Sequence, residues 1–246
     1  MKRFFIHPDE ITKPFPEIFG QDAQHIIKVL RLSKGAHIVL LDGTGLEYKA
    51  KIVRFSPDRV YVSIIAKLIN DTEPPVRIIV GQGYLKDKKM DLLVRHLTEI
   101  GIFRWIPVVT ERSIPQPDNK RMLSRTQRWK TIANEAVKQC KRSIPPNIDT
   151  PLSFHKAVEQ NNSADLKIIF FENETIPIKR SVVPEGQTPS EIMIMLGPEG
   201  GFSQKEVEFA KASGFITASL GPRILKAETA SISACTIIQY LFGDMG

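Results

Sequence analysis

Ile192-Met-Ile-Met-Leu196 runs directly into Gly197-Pro198-Glu199-Gly200-Gly201 and then Phe202-Ser203-Gln204-Lys205-Glu206. The pattern recurs downstream. An apolar run ending Ala218-Ser219-Leu220 breaks at Gly221-Pro222-Arg223-Ile224-Leu225 and leads into Lys226-Ala227-Glu228-Thr229. Each version reads as a buried strand that stops at a Gly-Pro turn and is followed by a helix. In open α/β sheets, ligands bind beyond the carboxyl ends of the strands, where two such turns can lie side by side. The two turns are read as the walls of one ligand pocket, although either alone could be a plain strand-to-helix connection whose glycines supply positive φ.

Charge narrows the ligand. A Gly-rich turn before a helix commonly holds phosphate, through free N–H groups and the helix dipole. Neither the dinucleotide fingerprint nor a Gly-Lys-Ser/Thr triplet occurs, and Glu199 in the turn would repel a polyphosphate. A phosphate-free ligand held by backbone groups and apolar contacts fits better. S-adenosylmethionine, with its adenosine, cationic sulfonium and amino-acid tail, has that character.

Outward from this stretch, the chain alternates strands and helices. Arg77–Gly83 and Trp105–Val109 read as strands, as does the continuous apolar run Leu166–Phe171. Met90, Leu93, Val94, Leu97 and Ile100 make a helical stripe ended by Gly101. Gln127–Cys140 is a second helix, with Trp129, Ile132, Ala133, Ala136 and Val137 on its apolar side. Ser153 caps a short helix, Ser203 and Glu206 form a capping box closed by Gly214, and Ala227–Phe242 is the last helix. Buried strands alternating with helices mean an α/β domain with a parallel sheet.

Residues 1–70 read differently, as short strands: Ala36–Leu41, the turn Asp42-Gly43-Thr44-Gly45, Leu46–Phe55 and Arg59–Ile65. The Asp-Gly step predicts a tight hairpin. One short helix, Asp22–Leu30, precedes them with Asp22 as N-cap, placing Lys28 and Arg31 on one face. Small strand-rich barrels often grip RNA through loops and basic edges. Residues 71–75, Asp-Thr-Glu-Pro-Pro, are the linker, and 76–246 the second domain.

Apolar content of 42% and charged content of 25% suit a globular protein. Cys140 and Cys235 form no metal-type spacing and point to a reducing compartment. The start, Met1-Lys2-Arg3, precedes too short an apolar run for a signal core, and no run reaches membrane-spanning length. A cytoplasmic protein is expected. The net charge of +7 is concentrated: residues 76–142 carry 15 Lys/Arg against 6 Asp/Glu, +9, while 1–75 carry +2 and 143–246 carry −4. A basic segment containing Arg beside Trp105 and Trp129 predicts a nucleic-acid partner.

The assembled motifs resemble the 16S ribosomal RNA uracil-N3 methyltransferases of the RsmE type, in the SPOUT superfamily. The matching pieces are His25-Ile-Ile-Lys-Val-Leu-Arg31, Asp42-Gly43-Thr-Gly45, Lys88-Lys-Met-Asp91, Leu97-Thr-Glu-Ile-Gly101, Glu111-Arg112-Ser113, Leu196-Gly-Pro-Glu-Gly-Gly-Phe202, Leu220-Gly-Pro-Arg-Ile-Leu225 and Glu228-Thr-Ala230. The chain departs from the family pattern at Val137-Lys-Gln-Cys-Lys-Arg142 and at Lys226-Ala227. The resemblance implies a PUA-like RNA-binding β-barrel followed by a SPOUT-type parallel-sheet domain with a trefoil knot. It also implies a homodimer, S-adenosylmethionine as cofactor, and methylation of uridine 1498 in 16S ribosomal RNA, with the assembled small subunit as partner.

On this reading the cofactor pocket comprises Leu196, Gly197, Pro198, Gly200, Gly201, Leu220, Gly221, Ile224, Leu225 and Ala230. Arg112 and Arg223 are candidates to stabilise charge on the uracil oxygens, Glu199 to accept the N3 proton, and Lys28, Arg31 and Arg142 to contact RNA. A ribose 2′-O-methyltransferase of the same superfamily is the alternative. That class tends to carry Asn where this chain has Glu99-Ile-Gly101 and Glu228-Thr-Ala-Ser231. A non-catalytic RNA-binding protein would leave the paired turns unexplained.

Overall fold

A computed structural model of the chain describes residues 1–86, 88–114, 119–179 and 187–246. Two compact units emerge: Met1–Glu73 with Val137–Pro145, and Pro74–Ala136 with Pro146–Gly246.

The first unit is a curled five-stranded sheet. Its elements are β1 (Lys2–Phe5), α1 (Pro8–Ile11), β2 (Glu17–Phe19), α2 (Gly20–Gln24), β3 (His37–Leu41), β4 (Glu47–Phe55) and β5 (Arg59–Leu68). The strand order is β1-β3-β4-β5-β2, with β1 parallel to β3 and the other pairs antiparallel. Alternate residues point inward, so Ile38, Leu40, Ala50, Ile52, Val60 and Val62 close over Phe4, Ile18, Ala23 and Ile26.

Local chemistry corrects three expectations in this unit. The β3–β4 connection is not a tight hairpin but a five-residue loop, since Leu41 pairs with Glu47. The Asp42 carboxylate accepts the Thr44 N–H (2.9 Å) and hydroxyl (2.8 Å), which builds a turn of its own. Asp22 does not cap the helix. It lies inside α2, and its carboxylate accepts the Phe5 N–H (3.3 Å) and the Lys138 ammonium (2.7 Å). Finally, α2 continues as one wide turn, His25–Val29, closed by the Leu30 N–H on the His25 carbonyl (2.9 Å). Arg31 then lies past the helix end at φ 48°, so it does not share a helical face with Lys28, though both side chains are exposed.

Arg142 also departs from expectation. It is only 5% exposed, and its guanidinium donates to Glu73 through Nε (3.2 Å) and Nη2 (2.8 Å). Glu73 accepts the Ser143 and Ile144 N–H groups as well, and buried Glu47 gathers Arg3, Asn70 and the Ser143 hydroxyl. A buried, paired guanidinium is a structural group here, not an RNA contact.

The second unit contains β6 (Arg77–Gly83), α3 (Lys89–Ile100), β7 (Arg104–Val109), α4 (Asn119–Cys140, its last turn grouping with the first unit), β8 (Asn147–Ile148), β9 (Leu152–Ser153), α5 (Phe154–Glu159), β10 (Leu166–Phe170), β11 (Glu191–Leu196), α6 (Gln204–Ala212), β12 (Ile216–Ala218) and α7 (Ala227–Phe242). The sheet runs β12-β10-β11-β6-β7-β8, every pair parallel, with β9 also on β7.

Period-two alternation sorts the side chains between two cores. Ile78, Val80, Ile192 and Ile194 meet α3, α4 and α7; Ile79, Met193, Met195 and Ile169 meet α5 and α6. This is the doubly covered, parallel-sheet α/β layer that the strand-helix alternation predicts. Helix α4 starts eight residues before the predicted Gln127, because Lys120, Arg121, Ser124 and Arg125 obscure the stripe of Met122, Thr126 and Trp129. The tryptophans of the basic segment are core residues: Trp105 is 0% and Trp129 1% exposed, stacked edge-on at 5.1 Å. Trp129 Nε1 donates to Asp91 (3.1 Å), so neither ring is a platform for a base. No helix among the described residues is long and apolar enough to cross a membrane.

Candidate cofactor and active site

The site lies at the carboxyl ends of β6, β10, β11 and β12. In the register, Leu196 sits opposite Gln82, so β11 stops level with β6 and the first Gly-Pro turn folds over it. Contact is close enough to exclude side chains. A Cβ on Gly83 would lie 2.4 Å from Pro198 N, and one on Gly201 (φ 66°) 2.5 Å from the Glu172 carboxylate. The turn is closed by the Gly201 N–H on the Pro198 carbonyl (2.9 Å). It then enters α6 through the predicted box, with the Ser203 N–H on Glu206 (2.9 Å) and the Glu206 N–H on the Ser203 hydroxyl (3.3 Å).

The other Glu206 oxygen accepts the Glu111 N–H (2.9 Å), which fixes the loop after β7. That loop is closed by the Ser113 N–H on the Thr110 carbonyl and by the Thr110 N–H on the Ser113 hydroxyl, each 3.1 Å. Arg112 is thereby carried onto the first turn, where its Nη1 donates to the Gly200 carbonyl (3.0 Å).

The second turn is held lightly. Strand β10 separates β12 from β11, so the two turns are not on neighbouring strands. The Gly221 N–H donates to the Ser219 hydroxyl (3.1 Å), and a Cβ on Gly221 (φ 108°) would meet nothing within 4 Å. Arg223 is exposed and Ile224 is 90% exposed, while Leu220, Leu225 and Ala230 are half-buried.

What links the two turns is a set of residues that sequence reasoning missed. Lys89, at the start of α3, places its ammonium 3.0 Å from Glu199 of the first turn and 3.6 Å from Glu228, in the helix after the second turn. Beneath them, buried Gln82 donates to the carbonyls of Gly83 (3.1 Å) and Gly197 (3.4 Å), and its Oε1 lies 2.5 Å from the Ser231 hydroxyl of α7. The available signal was weak. Gln82 is a polar residue in an otherwise apolar strand, and Lys89 and Glu228 fall in the motifs Lys88-Lys-Met-Asp91 and Glu228-Thr-Ala230 with nothing in their spacing to pair them.

Burial pushes the Glu199 carboxyl up, but the Lys89 ammonium and the N–H groups of Glu199 itself and Lys86 outweigh it, so it titrates below the ordinary range. Lys89 is raised, chiefly by its hydrogen bond to Glu199. At neutral pH the pair is therefore fully charged. The second carboxylate differs: Glu228 Oε2 is buried and has no hydrogen-bond partner. The site thus offers backbone amides and carbonyls, apolar half-buried side chains, one cation facing two carboxylates, and two arginines at its edge. It can hold a cationic ligand with an apolar body, and it is ill suited to a polyphosphate.

Comparison with known proteins agrees with this chemistry. An RNA methyltransferase domain model matches residues 72–239, and an RNA methyltransferase PUA domain model matches residues 20–65. The chain is 30% identical to the ribosomal RNA small subunit methyltransferase E of Bacillus subtilis, over 98% of this chain and 96% of that protein. It is 32% identical to the enzyme of the same name from Buchnera aphidicola, over 98% and 94%. A putative methyltransferase from Legionella pneumophila, solved with S-adenosylmethionine bound, superposes with a TM-score of 0.91 at 29% identity, covering 99% of each chain. The ribosomal RNA small subunit methyltransferase E of Neisseria gonorrhoeae, also solved with S-adenosylmethionine, gives 0.88 at 27% identity, covering 100% of each. With the paired turns in place, and both units matched across the full length of named relatives, the chain belongs to the ribosomal RNA small subunit methyltransferase E family.

Proposed function

We propose that this protein transfers the methyl group of S-adenosylmethionine to N3 of a uridine in 16S ribosomal RNA, uridine 1498. The single observation that carries the reading is the pair of Gly-Pro turns joined through Lys89. The residues present fit the cofactor: a Cβ on Gly197 would press on Gly201 Cα at 3.1 Å, Gly201 sits at φ 66°, and the buried Glu228 oxygen, which accepts no hydrogen bond, suits a cation, not a phosphate. Leu196, Gly197, Pro198, Gly200, Gly201, Leu220, Gly221, Ile224, Leu225 and Ala230 would hold it. When bound, it supplies an electrophilic methyl carbon.

The chain's own residues then position the uracil. Arg112 uses one of its five N–H donors on Gly200, leaving others for a carbonyl oxygen of the base, and exposed Arg223 supplies a second guanidinium. Charge that develops on the uracil oxygens as N3 loses its proton is stabilised by these donors. Glu199 is assigned differently from the simplest sequence expectation. A carboxylate ion-paired at 3.0 Å and titrating low is a weak proton acceptor, so it holds the Lys89 ammonium and accepts the Lys86 N–H at 3.4 Å. Lys28 and Arg31, both exposed, engage the RNA from the first unit. The protein works in the cytoplasm as a homodimer, for which Ile224, Tyr240 and Leu92 provide exposed apolar surface.

The test is methyl transfer from labelled S-adenosylmethionine to small ribosomal subunits lacking the modification, with nucleoside analysis of the product. Label is expected in 3-methyluridine. Label on a ribose oxygen would replace this reading with the 2′-O-methyltransferase one, and no transfer would leave an RNA-binding role.

A further inference from the structure

We infer that Glu228 selects the charged methyl donor over its neutral product, so that methyl transfer itself loosens the cofactor. The inference rests on the two turns forming the cofactor pocket. Donor and product differ at one atom. When the methyl carbon leaves for the acceptor, sulfur keeps the bonding electron pair, and a sulfonium becomes an uncharged thioether. The adenosine and amino-acid parts are common to both, so a pocket tells them apart by the charge on sulfur and by the methyl group it carries.

The charges at the turns are arranged to do so. Lys89 lies nearer Glu199 (3.0 Å) than Glu228 (3.6 Å), and its hydrogen bond goes to Glu199. Glu228 Oε2 is left buried without a hydrogen bond, and a buried carboxylate oxygen lacking a donor is costly. A ligand cation beside it would relieve that cost. Glu172 packs against Gly201 and Arg112 against Gly200, both on the first turn. Lys89 therefore serves two carboxylates at once, and Glu228, in the first turn of the helix that follows the second Gly-Pro turn, is the more weakly paired of the two.

The test is calorimetric binding of S-adenosylmethionine and of S-adenosylhomocysteine to the full chain, with melting curves to check folding. Glu228→Gln is expected to weaken the donor about five- to tenfold and leave the product unchanged, the order expected for one unit charge at a partly solvated site. Lys89→Met, which exposes both carboxylates, is expected to move the ratio in the opposite direction. Parallel weakening of both ligands by Glu228→Gln, or no change in either, overturns the inference. Gly197→Ala separates this from the pocket assignment, because its Cβ would press on Gly201 Cα at 3.1 Å. If that variant loses both ligands while Glu228→Gln changes neither, the pocket stands and the selection by charge falls. If Gly197→Ala binds both ligands normally, the pocket assignment itself is wrong.

Discussion

The two Gly-Pro turns have nearly the same sequence grammar and opposite environments. The first is clamped: Gly83 presses on Pro198, Glu172 on Gly201, Arg112 on Gly200, and Glu206 ties its exit to the loop after β7. The second is open, with free space around Gly221, Arg223 exposed and Ile224 almost wholly so. A clamped turn holds its backbone amides in place before any ligand arrives, which lowers the ordering cost of binding. An open turn has room to close on one. On the proposed function, the first turn frames the pocket and the second contacts whatever enters it.

That contrast can be broken most directly at the glycines. Gly83→Ala is expected to destabilise the protein by about 3 kcal/mol, the upper end for overpacking, because its Cβ meets backbone, not a movable side chain. Gly221→Ala has open space and should cost only about 1 kcal/mol, the strain of its positive φ. Chemical denaturation of both variants measures the difference, and equal losses would erase the distinction between the turns.

Next in size is the link beneath them. Ser231→Ala removes the hydroxyl facing Gln82 Oε1 and should cost about 1–2 kcal/mol, since the carboxamide oxygen is then buried without a donor. The same variant should weaken cofactor binding, which calorimetry would show. Stability lost with binding intact would mean that Gln82 supports the core and not the turn.

The smallest effect belongs to the Glu199–Lys89 pair. Both side chains are partly exposed, so Glu199→Gln should cost under about 0.5 kcal/mol at neutral pH. The sign with pH is fixed by the direction of the shift. A carboxyl held below its ordinary 4.5 stabilises the fold above that value and loses the contribution as pH falls through its lower folded value. Wild type and variant should therefore converge in acid. A gap that persists well below pH 4 would show that Glu199 acts through packing instead of charge.

Much of this molecule could be read without coordinates. Period-two and period-3.6 patterns located nearly every long element, and Gly101, Ser203, Glu206 and Gly214 marked helix ends because caps are local chemistry. The paired turns were legible for the same reason: glycine and proline act on the backbone where they stand. Other readings failed where a residue's partner is distant in sequence. Asp22 reads as a cap but pairs with Lys138, Arg142 reads as an RNA contact but is buried against Glu73, and the two tryptophans of the basic segment are core.

By itself, then, the sequence determined the parallel α/β layer and the family. Those follow from local propensity, periodicity and motifs in a fixed order. Only the tertiary structure decided which turn is clamped, that β10 lies between β11 and β12, and that Lys89, Gln82, Glu228 and Ser231 meet at the site. Such pairings join residues more than a hundred positions apart, and their energy depends on burial and distance, which no local pattern encodes.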